Sequence, residues 1–144
     1  MGGLGFAIFT FADLPFAAMG EVARMAEDLG YERVYTTESL TDTLACDMLI
    51  ALRTRRIVVG SSIAIIYLRH PVIAALAAAT ISDLSGGRFI LGLGLGHEVR
   101  NRALGVKAGS PREDLRRYVT EVRGILEGRP VYPDLPAALA SFPA

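Results

Sequence analysis

His97 is one of two histidines in this chain of 144 residues, and it follows Gly92-Leu93-Gly94-Leu95-Gly96. An imidazole titrates near pH 6.5, at about neutral pH, and can give or take a proton there. Three glycines in five positions let backbone approach a ligand closely. The plain alternative is an exposed loop histidine. The other histidine, His70, precedes Pro71 at a helix start, where capping or packing explains it. Ser61-Ser62 closes an apolar run with two small residues, an ordinary way to end a strand. Arg88 enters a strand at its N-terminal end and is expected to pair with a carboxylate there. Arg53, Arg55 and Arg56 lie at the same end, as a solvated turn. No metal site is expected.

The glycine run also invites a dinucleotide-binding reading, in which glycines admit a pyrophosphate to a helix N-terminus. That fingerprint needs a further glycine where His97 stands. It also needs an acidic residue ending a strand ~20 positions on, and Asp114 at that distance falls inside a helix.

The elements that must position these residues alternate. Leu4 to Phe11 is short, aromatic and branched, and reads as a strand buried on both faces. Asp13 stands at a helix N-cap, Pro15 in the first turn, and Phe16, Met19, Val22, Ala23, Ala26 and Leu29 recur at helical spacing before Gly30. Glu32 to Thr37 is a second strand and Thr43 to Leu52 a second helix. Arg56 to Ile63 is a third strand, His70-Pro71 opens a third helix to about Leu84, and Arg88 to Leu93 is a fourth strand. Ser110, Pro111 and Glu113 form a capping box for a last helix ending at Gly128. Residues 129–144 hold four of the seven prolines and are expected to be an irregular tail. Strand–helix repeats with apolar strands imply a parallel sheet, either doubly wound or part of a (β/α)8 barrel, which takes ~250 residues when whole. The fold expected is α/β, a partial TIM barrel of about four βα units over residues 1–128.

Fifteen Lys+Arg balance fifteen Asp+Glu, so nothing favours nucleic acid or an anionic membrane as partner. The lone Cys46 excludes an intramolecular disulfide. Arg69, His70 and Pro71 interrupt the apolar stretch from Ile57 to Ile81, leaving runs shorter than the ~18 residues a membrane span needs. Without a basic start to suggest a signal peptide, a cytoplasmic location is expected.

Four segments stand in a register of their own: Ala26-Glu27-Asp28-Leu29-Gly30-Tyr31, Thr37-Glu38-Ser39, Arg69-His70-Pro71 and Leu84-Ser85-Gly86-Gly87-Arg88-Phe89-Ile90-Leu91-Gly92-Leu93-Gly94. In order and spacing they resemble the luciferase-like flavin and deazaflavin oxidoreductases. The resemblance covers the N-terminal half of that family's barrel. It implies binding of FMN or the 5-deazaflavin coenzyme F420 at the C-terminal ends of the strands, with hydride transfer or monooxygenation of a small-molecule substrate. It also implies a non-prolyl cis peptide closing the third strand, which counting back from His70 places at Ser62-Ile63.

On that resemblance Thr10, Ser39, Ser62, Ile63, Gly94 and Gly96 are the cofactor-binding candidates, and His97 and Glu38 the catalytic ones. Ser39 stands where many relatives carry a histidine, and a serine without a partner is no acid or base near neutral pH. Leu95 lies close to where luciferase-like relatives use an arginine for the cofactor phosphate. Barrels commonly hold that phosphate on loops after strands seven and eight. An intact enzyme would therefore need those units from a second chain, a homodimer among the options. The rival expectation is a truncated or split half-barrel without catalysis of its own.

Overall fold

The computed structural model describes residues 3–9 and 15–132. In chain order the elements are β1 (Gly5–Ile8), α1 (Phe16–Asp28), β2 (Arg33–Thr36), α2 (Thr43–Arg53), β3 (Val58–Ser61), β4 (Ala64–Ile65), a 3-10 turn (Ile66–Leu68), α3 (Pro71–Ser85), β5 (Phe89–Ile90), β6 (Leu93–Gly94), α4 (Glu98–Ala103) and α5 (Pro111–Leu126). They fall into two compact units, drawn from Met1–Ala64 with Thr80–Gly92 and from Ile65–Ala79 with Leu93–Ala144. Among the described residues no helix is long and apolar enough to cross a membrane.

The first unit is built on a four-stranded parallel sheet in the order β1-β2-β3-β5. Side chains alternate across a strand, so register decides what is buried. Phe6, Val34, Val59 and Phe89 align in one row, and Ala7, Tyr35, Gly60 and Ile90 in the next. Ile8, Val34 and Val59 join Met19, Ala23 and Ala26 of α1 and Cys46 and Ile50 of α2 in a single buried cluster. The alternate row carries the exposed Ala7 and Ile90 and the half-buried Tyr35. Sequential strand order, with α1 and α2 sharing one core, belongs to a barrel segment; a doubly wound sheet reverses its order and carries helices on both faces. The dinucleotide-binding alternative is dropped on that ground.

Several expectations need correction. The first helix starts at Phe16 with Pro15 at the N-cap and no side-chain cap bond; Asp13 lies outside the described residues. Phe16, Val22 and Leu29 are exposed, and the buried stripe is Met19, Gly20, Ala23, Ala26 and Glu27. The fourth strand breaks into β5 and β6 around Gly92, and the short α4 was not expected. Ser110 does cap α5, but its side chain accepts no cap bond. Asp114 instead folds back to accept the Gly109 N–H at 2.9 Å, so the capping box does not form. The expected irregular tail falls outside the described residues from position 133 onward.

Two charged side chains close the N-terminal end of the sheet. The Glu27 carboxylate, 6% exposed, accepts the backbone N–H groups of Arg55 at 3.0 Å, Arg56 at 2.5 Å and Ile57 at 2.7 Å. Burial pushes its pKa up, but these three donors and the Arg56 charge outweigh burial and hold it below 4.5. Arg88 does not meet the expected carboxylate. It donates to the carbonyls of Ser85, Ile57, Thr54 and Ala51 at 2.6 to 3.2 Å, so it ties strand starts to the ends of α2 and α3.

Removing Glu27 strands three N–H donors. Glu27→Ala should cost about 3 kcal/mol of stability in urea denaturation, since bonds to a charged group contribute ~1.5–3 kcal/mol each and water can replace some of them. A depressed carboxylate stabilises above its unfolded pKa. The wild-type advantage over Glu27→Ala should therefore be complete at neutral pH and shrink as pH falls below 4.5.

Candidate functional site

Barrel enzymes place their chemistry where strands end at their C-termini, and in the first unit that is the region after Thr36 and Ser61. Thr36 is fully buried. Its hydroxyl donates to Asp47 Oδ1 at 2.8 Å and touches the Thr43 hydroxyl. Glu38 and Ser39 follow directly, half-buried and exposed respectively. The loop returns through Asp42, whose side chain caps α2 by accepting the N–H groups of Leu44 and Ala45. Asp47, on the next turn of α2, is also fully buried. Among the described residues its Oδ2 and the Thr37 hydroxyl have no hydrogen-bond partner. Burial raises the Asp47 pKa from 3.8 to about 7, the Thr36 bond opposes this, and the Asp42 and Glu38 charges add to it.

At the end of β3 the Ser62–Ile63 peptide is cis, where the register with His70 expects it. The Ser62 N–H donates to the Thr36 carbonyl at 2.7 Å, which sets Ser62-Ile63 beside the start of the Glu38-Ser39 loop. Ser62 is exposed and Ile63 half-buried. Ser61 turns back to the fourth strand, bonded to both the N–H and the carbonyl of Gly92 at 2.9 Å. The Ala64 N–H takes the same carbonyl at 2.8 Å. A Cβ on Gly92 would lie 2.1 Å from the Ser61 carbonyl oxygen, so only glycine fits this crossing of backbones.

The second unit carries the remaining candidates on one loop. Gly94 ends β6, Gly96 has φ of +70°, and His97 is exposed at the N-cap of α4 without a side-chain cap bond. Buried Asn101 donates to the Leu95 carbonyl at 2.7 Å, and its own N–H to the His97 carbonyl at 2.9 Å. The loop's shape thus depends on one amide side chain of α4. This unit also has a cavity of about 640 Å³, bordered by Tyr67, His70, Asp114, Tyr118, Glu121 and Tyr132 among others. His70 Nδ1 accepts the Val72 N–H at 3.3 Å, which is the expected capping role. Burial and then its bond to Glu121 push the Tyr132 phenol up to about 12.

The structure therefore brings Glu38, Ser39, Ser62 and Ile63 to adjacent strand ends of one unit, and sets Gly94, Gly96 and His97 on a loop of the other. Thr10 lies outside the described residues.

The luciferase-like monooxygenase family matches residues 4–134. The chain belongs to this family. A 5,10-methylenetetrahydromethanopterin reductase of Archaeoglobus fulgidus is 30% identical over 128 residues, covering 88% of this chain and 39% of the relative. Among solved structures, the coenzyme F420 dependent tetrahydromethanopterin reductase of Methanopyrus kandleri superposes with a TM-score of 0.78 at 25% identity, over 90% of this chain and 41% of its own. The oxygenating constituent of 3,6-diketocamphane monooxygenase from Pseudomonas putida, in complex with FMN, superposes at 0.75 with 17% identity, over 88% and 40%. The luciferase-like chain thus spans about 40% of the length of these relatives, and its fold is a partial TIM barrel.

Asp47 and Asn101 escaped the sequence reading. Asp47 sits one turn after Thr43 on the buried face of α2, and a lone carboxylate on an apolar stripe was a signal that could have marked it. Asn101 is one polar residue in a short helix that periodicity does not resolve.

Two outcomes follow. Gly92→Ala should lower stability by about 3 kcal/mol or more in chemical denaturation, because its Cβ would overlap fixed backbone. A raised carboxyl pKa favours the fold below the unfolded value of 3.8 and loses that advantage as pH rises through about 7. Wild-type stability relative to Asp47→Asn should therefore fall across that window, as read by urea midpoints at successive pH values.

Proposed function

We propose that this chain supplies the N-terminal four βα units of an oxidoreductase barrel that uses coenzyme F420 or FMN. The observation that carries the reading is the gathering of Glu38, Ser39, Ser62 and Ile63 at the C-terminal ends of β2 and β3, in a chain of the luciferase-like family. These residues fit a flat ring with a polar edge. Ile63 offers apolar surface, Ser39 and Ser62 offer exposed hydroxyls, and the buried Thr37 hydroxyl still lacks a hydrogen-bond partner among the described residues. When bound, such a cofactor supplies two-electron transfer to or from a small-molecule substrate.

The chain's own part is to orient and to handle protons. Ser39 and Ser62 would bind ring edges, with Ile63 excluding water from one ring face. Glu38 would accept a proton at its carboxylate, the part that Ser39 cannot play. On the family register, Gly94 and Gly96 would let their own loop approach a ligand closely, and His97 Nδ1 or Nε2 would exchange a proton.

A second reading, a split or truncated half-barrel without catalysis of its own, is favoured by the coverage of about 40%. The two readings share one expectation for the isolated chain. A half-barrel gives the ring one wall, so apolar burial at ~25 cal/mol per Å² acts on one face only against several kcal/mol of lost translational and rotational freedom.

Amide shifts of the chain titrated with FMN, and separately with coenzyme F420, test the proposal. Weak binding is expected, with shifts centred on Glu38, Ser39, Ser62 and Ile63. Shifts confined to the Arg53–Arg56 end of the sheet would overturn the assignment, as would none at millimolar cofactor. Submicromolar binding by a monomer would refute the one-wall argument.

A further inference from the structure

The loop holding Glu38 and Ser39 leaves the sheet at Thr36 and re-enters regular structure at Thr43. The two ends meet at the Thr36 hydroxyl. Thr36 donates to Asp47 Oδ1 at 2.8 Å, and the Thr36 and Thr43 hydroxyls touch each other. Thr36, Thr43 and Asp47 are each fully buried, so no water competes for these bonds. We propose that Asp47 is a positioning residue for the Glu38-Ser39 loop, acting through the Thr36 and Thr43 hydroxyls to hold its two ends together. The inference rests on the reading that this loop belongs to the cofactor pocket.

An acid in this place behaves differently in its two forms. Neutral, Asp47 accepts the Thr36 hydroxyl through its carbonyl oxygen and leaves an O–H at Oδ2, next to no fixed charge of its own. Ionised, it places a buried charge whose Oδ2 has no donor among the described residues, in the fields of Glu38 and Asp42. Its α2 neighbour Cys46 is buried, and burial pushes that thiol up, so it brings no opposing charge.

Among the described residues nothing packed against α2 neutralises Asp47. From α1, Glu21 pairs with Arg53 and Arg24, Asp28 pairs with Arg24, and Glu27 is spent on the Arg55–Ile57 backbone. Arg33 and Tyr35 of β2 belong to the opposite row of the sheet. Between the ordinary value of 3.8 and about 7 the closed loop loses about tenfold in relative population per pH unit, and the loss levels off above about 7. The loop should therefore loosen from its Thr36–Thr43 closure as pH rises, while Asp47→Asn keeps the neutral shape at every pH.

Hydrogen exchange of the backbone amides at 38–42, corrected for intrinsic rates, reads this directly on the 144-residue chain without any cofactor. Protection in the wild type should drop by about tenfold between roughly pH 6 and pH 8.5, most of it below about pH 7 and levelling off above, whereas Asp47→Asn should hold its protection at both. Thr36→Val, which removes the hydroxyl and keeps the volume, should lower protection at both. Flat wild-type protection across that range would overturn the proposal, as would the same slope in Asp47→Asn. Because these readouts need no ligand, a failed cofactor titration would sink the pocket reading alone and leave this one to be judged on the exchange data.

Discussion

A slip of β2 by one residue against β3 would turn Val34 out of the core beside Val59 and bring Arg33 and Tyr35 into it, because successive side chains face opposite sides of a strand. The observed register, Thr36 beside Ser61, prevents this and determines much else. It places Thr36 over α2, where Asp47 and Thr43 meet its hydroxyl. It also gives the Thr36 carbonyl to the Ser62 N–H, so Ser62-Ile63 emerges beside Glu38-Ser39.

The two ends of the sheet then serve different purposes. At the N-terminal end Glu27 and Arg88 are bonded within the protein: Glu27 takes three successive backbone donors and Arg88 serves carbonyls of two helices and a strand start. At the C-terminal end, small or polar residues follow the strands and two buried oxygens lack partners among the described residues in the Thr36–Asp47 region. Satisfaction at one end and unmet hydrogen-bonding capacity at the other is the division expected of a barrel segment, in which one face of loops stabilises and the other binds.

Element order was legible from the chain because apolar runs and turn residues alternate cleanly, and the family motifs brought the cis bond at Ser62-Ile63 within reach. The break in the fourth strand was not legible. Its cause is the approach of Ser61 to Gly92 across strands, and a glycine required by a distant carbonyl looks in sequence like any other. Arg88 was misassigned for a related reason: a cluster of carbonyls attracts a guanidinium as a carboxylate does, but leaves no residue type to read. Ser110 and Glu113 satisfy the local pattern of a capping box, yet Asp114 took the loop N–H. The site residues divide similarly. Glu38 and Ser39 stand in a motif, whereas Asp47 acts through partners far along the chain.

The central claim is that the β2–β3 register presents Glu38-Ser39 and Ser62-Ile63 side by side. Proton–proton Overhauser contacts in the isotope-labelled chain measure it most directly. In a parallel pair, an amide that donates to the Thr36 carbonyl lies against the α-proton of the next residue, so the account predicts a strong contact from the Ser62 amide proton to the α-proton of Thr37. A contact from that amide to the α-proton of Thr36 or Glu38 in its place would mean a shifted register and would contradict the account.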